Sequence, residues 1–241
     1  MTIASLLAAV GLAIAHLLSG RLSFLDVRPR SRWLSAAGGI SVAYVFVHTL
    51  PDLAEEQETL REAAGEALAF VESHAYLVAL LGLAVFYGLE RAAKASRGRR
   101  RRTGGEDSTG VGVFWLHVGS FAAYNALIGY LLLHRESSEP GSLLYFVAMA
   151  VHFALNDHAL RQDHRETYTR IGRWVLAGAI VAGWGIGLMT DVSEAATGGL
   201  IAFLAGGVIM NVMKEEEPGR AGFLPFVAGA AAYAALLLAS L

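Results

Sequence analysis

One segment of the sequence concentrates side chains that could bind a metal ion. His152 and Asn156 are four residues apart and share one face of a helix, and Asp157 and His158 follow directly. Imidazole, carboxylate and amide oxygen suit a borderline divalent ion such as zinc, or iron and manganese where oxygen atoms predominate. The segment therefore predicts a site for one of these cations.

A second segment offers a comparable set of polar side chains. His117, Ser120 and Tyr124 have the spacing of one helix face, and Asn125 lies at the edge of that face. If the two segments form neighbouring helices, these side chains can meet those of the first segment.

The depths of these residues predict two polar levels between the two helices. Asn125 and His152 lie near the middle of their segments, whereas His117 and Asp157 lie nearer one end. We expect Ser120 to join the level of His117. The full set of predicted metal ligands is His152, Asn156, Asp157, His158, His117, Ser120 and Asn125.

A third position lies at the end of the apolar run in "YVFVHTLPDLAEEQ", residues 44–57. His48 and Asp52 are four residues apart and flank Pro51. They are predicted to form an entrance ligand pair or gate. Alternatively, Pro51 and Asp52 mark only the point where a helix leaves the membrane.

The composition indicates that these side chains lie within a membrane. The chain has 241 residues, of which 55% are hydrophobic and 17% charged, and its mean hydropathy is +0.48. These values are too apolar for an ordinary soluble domain. The absence of cysteine excludes disulfides and thiolate ligands.

Apolar blocks divide the chain into eight predicted spans, because a bilayer core requires roughly 20 helical residues. The first block lacks the basic start and cleavage site of a signal peptide and is kept as a span. We predict a single all-α transmembrane domain, 1–241. The spans are 2–19, 33–52, 74–94, 111–134, 142–161, 169–190, 195–213 and 222–241.

Charge in the connections predicts the orientation. Arginine is concentrated in alternate loops, above all in 95–110, which reads "ASRGRRRRTGGEDSTG", so both termini are predicted to face outside. Loop 95–110 is predicted to be disordered and cytoplasmic and to contact lipid headgroups; nucleic-acid binding is not expected. Residues 53–73 have the pattern of a surface helix.

Polar packing between helices is the alternative explanation for buried polar residues in the spans. His16 is predicted simply to hydrogen-bond to a neighbouring helix, and His164 is placed in a loop. The residues on spans 4 and 5 could likewise serve packing alone. Several ligand-capable groups at matching depth favour a functional site instead.

The order of the motifs resembles the ZIP (Zrt-, Irt-like protein) family of divalent-metal transporters. "VHTLPDLAEE" is similar to the family's span 2 ending, "SFAAYNALIG" to its span 4 motif and "HFALND" to its span 5 motif. "FYGLERAAK" and "GGLIAFLAGGVIMNVMKEEEP" resemble its span 3 ending and its span 7. The resemblance implies an eight-helix bundle and cation uptake toward the cytoplasm, with one bundle rocking against the other.

The chain departs from the family at several motif positions. Ser120 and Tyr124 stand where the family has a metal-binding histidine and an acid, and Asn125 replaces a glycine. Phe153 and Leu155 replace a glutamate and a proline of span 5. The residues that carry over are His152, Asn156 and Asp157.

The predicted function is therefore transport of a divalent cation, zinc first and iron or manganese next, by a multi-pass protein of the cell membrane. In a two-membrane bacterium this is the inner membrane. The expected partners are the metal ion and lipid, a homodimer is left open, and neither catalysis nor a resident cofactor is expected. Two alternatives remain: an intramembrane zinc hydrolase of the ceramidase or adiponectin-receptor type, and a non-transporting ZIP-like sensor or structural protein.

Overall fold

Helices account for almost every residue in the described part of the computed structural model, which covers 2–19, 32–51, 54, 75–104, 109–134, 142–215 and 222–240. The fold is therefore all-α, as predicted. The helices are α1 (Thr2–Leu18), α2 (Arg32–Tyr44), α3 (Ala75–Arg102), α4 (Val111–His134), α5 (Ser142–Thr167), α6 (Arg173–Gly187), α7 (Glu194–Glu215) and α8 (Phe223–Ser240).

Two wide π-helical turns extend these helices. One covers Val45–Thr49 at the end of α2, where the amide of Leu50 donates to the carbonyl of Val45. Pro51 has no amide hydrogen to offer the preceding turn, and a widened turn is one way to adjust to that loss. The turn carries His48, so the wide geometry falls at a residue of the predicted entrance.

The second π-helical turn, Tyr168–Gly172, joins α5 directly to α6. Helical turns therefore run without a gap from residue 143 to residue 187, but Arg165 has non-helical backbone angles (φ 53°, ψ −126°), so α5 and α6 meet at a kink. The sequence predicted separate fifth and sixth spans with a loop between them. If this segment is taken as one helix, the described residues contain seven helices rather than the predicted eight, because helical turns continue on both sides of Arg165.

Length and apolar composition make three of these helices candidates for crossing a membrane. They are Ala75–Arg102, Val111–Leu133 and Leu143–Gly187, and shorter apolar helices cover Ile3–Leu18, Ala196–Asn211 and Phe223–Ala239. The prediction of a disordered loop 95–110 is wrong in its first half, because α3 continues through Arg102. Arginine is a good helix former, so the basic run does not end the helix. Most of the predicted surface helix 53–73 lies outside the described residues.

Reciprocal glycine contacts hold three helix pairs close together. In each pair a glycine on one helix lies so near a carbonyl of the other that a β-carbon would overlap it, which lets the backbones approach. The pairs are Gly129 with Ile180 and Gly183 with Ala126 (α4–α6), Gly39 with Phe226 and Gly229 with Ala36 (α2–α8), and Gly82 with Phe203 and Gly206 with Ala79 (α3–α7).

These pairs belong to two helix groups. The first helix group contains α1, α4, α5 and α6, in which α6 packs on both α4 and α1. The second consists of two pairs, α2 with α8 and α3 with α7, which meet mainly through α2 and α7. Helix α5 lies at the boundary, against α1 on one side and α2 on the other. Among the described residues, no glycine approaches a backbone carbonyl across this boundary.

A matched pair of substitutions on α6 tests the glycine contacts. Gly183→Ala places a methyl group against the carbonyl of Ala126, whereas the same change at Gly185 meets open space. We expect Gly183→Ala to lower the free energy of unfolding by about 2 kcal/mol or more. Gly185→Ala is expected to leave it unchanged or raise it by up to about 1 kcal/mol. Unfolding in mixed micelles measures both values, and equal losses in the two variants would contradict the packing described.

Candidate functional site

Asp157 is the centre of a buried polar cluster between α1, α5 and the second π-helical turn. Nδ1 of His16 lies 2.8 Å from Oδ1 of Asp157, and both side chains are 1% exposed or less. A carboxylate only accepts hydrogen bonds, so the Nδ1 proton belongs to His16. The Tyr168 hydroxyl donates to the same carboxylate oxygen. The prediction that His16 hydrogen-bonds to a neighbouring helix is confirmed, and its partner is one of the predicted metal ligands.

The local sequence explains how Tyr168 reaches this carboxylate. Gly172 follows one turn later, and a β-carbon at that position would overlap the Tyr168 ring. The missing side chain therefore lets the ring lie against the helix, where its hydroxyl meets Asp157. Arg165 takes its positive φ just before this turn, which redirects the chain from α5 into α6.

A second polar cluster joins the end of α5 to the start of α4. Nδ1 of His117 lies 3.0 Å from Nε2 of His164, and Nδ1 of His164 lies 2.5 Å from the Thr109 hydroxyl. On the opposite side of the His117 ring, Nε2 lies 4.0 Å from a carboxylate oxygen of Glu90 on α3. The predicted lower level is wrong in its pairing, because His117 contacts His164 and Asp157 contacts α1. His164 is a buried helical residue, not a loop residue.

We use the name third cluster for the buried polar residues at the middle of α4 and α5, which are Tyr124, Asn125, His152 and Asn156. The rings of His152 and Tyr124 lie 6.1 Å apart between centroids, so α5 and α4 do meet here. Asn125 is fully buried, and Asn156 is 3% exposed. Among the described residues, no partner lies within hydrogen-bonding distance of the Asn125 amide, the Asn156 oxygen or the Tyr124 hydroxyl. Buried polar atoms in this state are rare and call for a water or an ion.

A cavity of about 50 Å³ lies directly beside this third cluster. A volume of that size exceeds the roughly 10–15 Å³ that one water requires. Its wall comes from both helix groups: α4 and α5 on one side, and α2 and α7 on the other. The lining residues are Tyr44, Thr49, Tyr124, Ile128, Leu131, Tyr145, Met149, Ile201, Leu204 and Val208.

The remaining predicted residues lie apart from these clusters. The Ser120 hydroxyl donates to the Leu116 carbonyl of its own helix at 2.8 Å. His158 lies within hydrogen-bond distance of Arg161 and Gln162, one turn further along α5. The His48 ring packs on Tyr44, a cavity residue, at 5.3 Å between centroids, and Asp52 lies outside the described residues.

No group of three or more histidine, aspartate or glutamate side chains arranged to hold a metal ion occurs within the described ranges. Two of the clusters instead pair imidazole with carboxylate groups, and the hydroxyls of Tyr168 and Thr109 are further partners. The sequence singles out Glu90 as an acid near the end of an apolar span, but it does not link Glu90 or His164 to His117. Sequence reasoning missed Tyr168, because residue spacing does not show which distant side chains meet.

Comparison of the chain with models of protein families, with curated proteins and with solved structures found no match. The resemblance to ZIP transporters therefore stays a prediction, and the case for a function depends on the geometry of the clusters and the cavity.

Removal of either member of the His16–Asp157 pair should destabilise the fold. A buried hydrogen-bonded pair that loses one partner leaves an unsatisfied polar group, at a cost of about 1–3 kcal/mol and more where that group is charged. We expect Asp157→Ala and His16→Ala each to lower the free energy of unfolding by that order, and the double variant to lose much less than their sum.

Ser120→Ala is the matched control, because the described hydrogen bond of the Ser120 hydroxyl is made to Leu116 of the same helix. It should change the free energy of unfolding by less than about 0.5 kcal/mol. Additive losses in the His16 and Asp157 variants would show that the two side chains do not act as a pair.

Proposed function

We propose that the chain is a multi-pass membrane transporter that moves a divalent metal cation toward the cytoplasm, along the boundary between the two helix groups. The cation is of the zinc, iron or manganese class. The proposal includes eight membrane crossings of ZIP-like arrangement, with both termini outside and the arginine-rich end of α3 in the cytoplasm.

The observation that carries the proposal is the third cluster together with the cavity above it. Polar atoms of Tyr124, Asn125 and Asn156 are buried without hydrogen-bond partners among the described residues. His152 supplies an imidazole at the same level. Nitrogen and amide oxygen suit a borderline divalent cation, and polar groups at this depth of a membrane helix typically mark an ion pathway.

The location of the cavity supports transport in particular. Its walls belong to both helix groups, and no glycine of the described residues approaches a backbone carbonyl across the boundary between them. A transporter exposes a central site alternately by moving one such group against the other. The cavity lies on the side opposite the arginine-rich end, which is the outer side in the proposed orientation.

Coordination of the cation would require the side chains of Asn125, His152 and Asn156 to change position. In the described geometry, Asp157 is held by His16 and Tyr168. We therefore assign Asp157 a positioning role on α5 and assign direct contact with the cation to His152, Asn125 and Asn156. This assignment narrows the ligand set expected from the sequence.

Uptake into proteoliposomes tests the proposal. We expect purified protein to accelerate entry of Zn²⁺, Fe²⁺ or Mn²⁺. We expect His152→Gln to reduce the uptake rate at least about tenfold, because this change weakens one ligand and largely keeps the side-chain volume. Ser120→Ala serves as the control and should retain wild-type uptake. If protein-containing vesicles take up none of the three ions faster than empty vesicles, the proposed function is wrong.

A further inference from the structure

The arginine-rich end of α3 makes a set of polar contacts with the start of α4 and the end of α5. Nη1 of Arg97 lies 3.3 Å from Oδ1 of Asp163. The amide of Gly110 donates to the Ser96 hydroxyl at 3.1 Å. These contacts cross the boundary between the two helix groups, because α3 belongs to the second group and its partners to the first.

Two further contacts join α3 to residues of the first helix group. The Arg100 guanidinium donates to the Thr109 carbonyl at 3.2 Å, and Glu90 approaches His117 at 4.0 Å. We use the name basic-end latch for Ser96, Arg97, Arg100, Thr109, Gly110 and Asp163. Its members lie on the opposite side of the third cluster from the cavity.

Aromatic rings close the space between the cavity and the basic-end latch. The Phe86 ring of α3 lies 5.2 Å from that of Phe121 and 5.4 Å from that of Tyr124, both on α4. Phe121 is 1% exposed and Phe86 is 4% exposed. A cation at the level of His152 would therefore meet first a layer of rings and then the latch before it reached the basic end.

The contacts of the latch are weak enough to break and form again. Asp163 is 8% exposed at its side chain, whereas Arg97 is 24% exposed. A partly exposed ion pair stabilises only modestly. The latch also lacks the glycine-to-backbone contacts that hold helices together within each group. The boundary can therefore separate here without disturbing the packing inside either group.

We propose that the basic-end latch is the inner gate of the cation path, closed in this structure, and that it opens when α3 separates from the ends of α4 and α5. The inference rests on the proposed function for the identity of what passes through. The separation itself can be measured without any transport.

A disulfide across the latch tests its role in uptake. The chain contains no cysteine, and a β-carbon at Gly110 would lie 3.6 Å from the Ser96 hydroxyl oxygen. The substitutions Ser96→Cys and Gly110→Cys should therefore form a disulfide with little movement. We expect oxidation of the double variant to reduce uptake at least about tenfold and reduction to restore it.

The control for oxidation is Tyr87→Cys with Arg91→Cys, two exposed positions one turn apart on α3. This variant and the two single variants should show uptake that is insensitive to the oxidant. Wild-type uptake combined with unchanged uptake by the oxidised latch variant would overturn the gate and leave the proposed function standing.

Distances between spin labels test the gate independently of transport. Ala95 on α3 and Thr169 in the turn after α5 are exposed, and they belong to the two helix groups that the latch joins. We expect labels at Ala95→Cys and Thr169→Cys to give a longer-distance population once Arg97→Gln and Asp163→Asn break the ion pair. Labels at Trp115→Cys and Trp174→Cys, both exposed and within the first helix group, should keep one distance.

The two experiments separate the possible failures. If no ion is taken up, the proposed function is wrong. The distances between the spin labels then decide alone whether the basic-end latch opens. An unchanged distance distribution across the latch after loss of the ion pair would overturn the gate, whatever the uptake result.

Discussion

Asp157 carries a carboxylate in the interior of a largely apolar chain, where His16 and Tyr168 both hydrogen-bond to it. An unpaired carboxylate in such a place is destabilising by several kcal/mol. The face that α5 presents to α1 is therefore fixed, and so is the position of the turn that carries Tyr168 into α6. Once α5 is oriented in this way, His152 and Asn156 lie on faces that meet α4 and the boundary between the helix groups.

Two kinds of packing follow from this arrangement and serve different purposes. Within the groups, glycines bring backbones together at Gly183 and Gly206, which makes each pair rigid. At the boundary, rings such as Phe86 and Phe121 and a limited set of polar contacts fill the space, and a cavity remains. The proposed transport would use this difference, with one helix group moving against the other.

The sequence predicted the positions of most helices because long apolar blocks report directly on what a bilayer or an apolar core accepts. It placed the start of α4 and the buried character of His117 and His152 correctly. It did not predict that helical turns continue on both sides of the kink at Arg165, since polar residues there resembled a loop. Nor did it show that Asp157 pairs with His16, because periodicity fixes a helix face but not which distant helix covers it.

The central claim is that the polar atoms around His152 hold a divalent cation, and metal content measures this most directly. Purified protein is equilibrated with Zn²⁺, Fe²⁺ or Mn²⁺, separated from unbound ion and analysed for metal per chain. We predict about one retained ion of at least one type, as expected for a site with nitrogen and oxygen ligands, and a clear loss of that ion in a variant with Asn125→Leu and His152→Leu. Protein that retains no metal under any of the three conditions, or a double variant that retains as much as the wild type, would contradict the account.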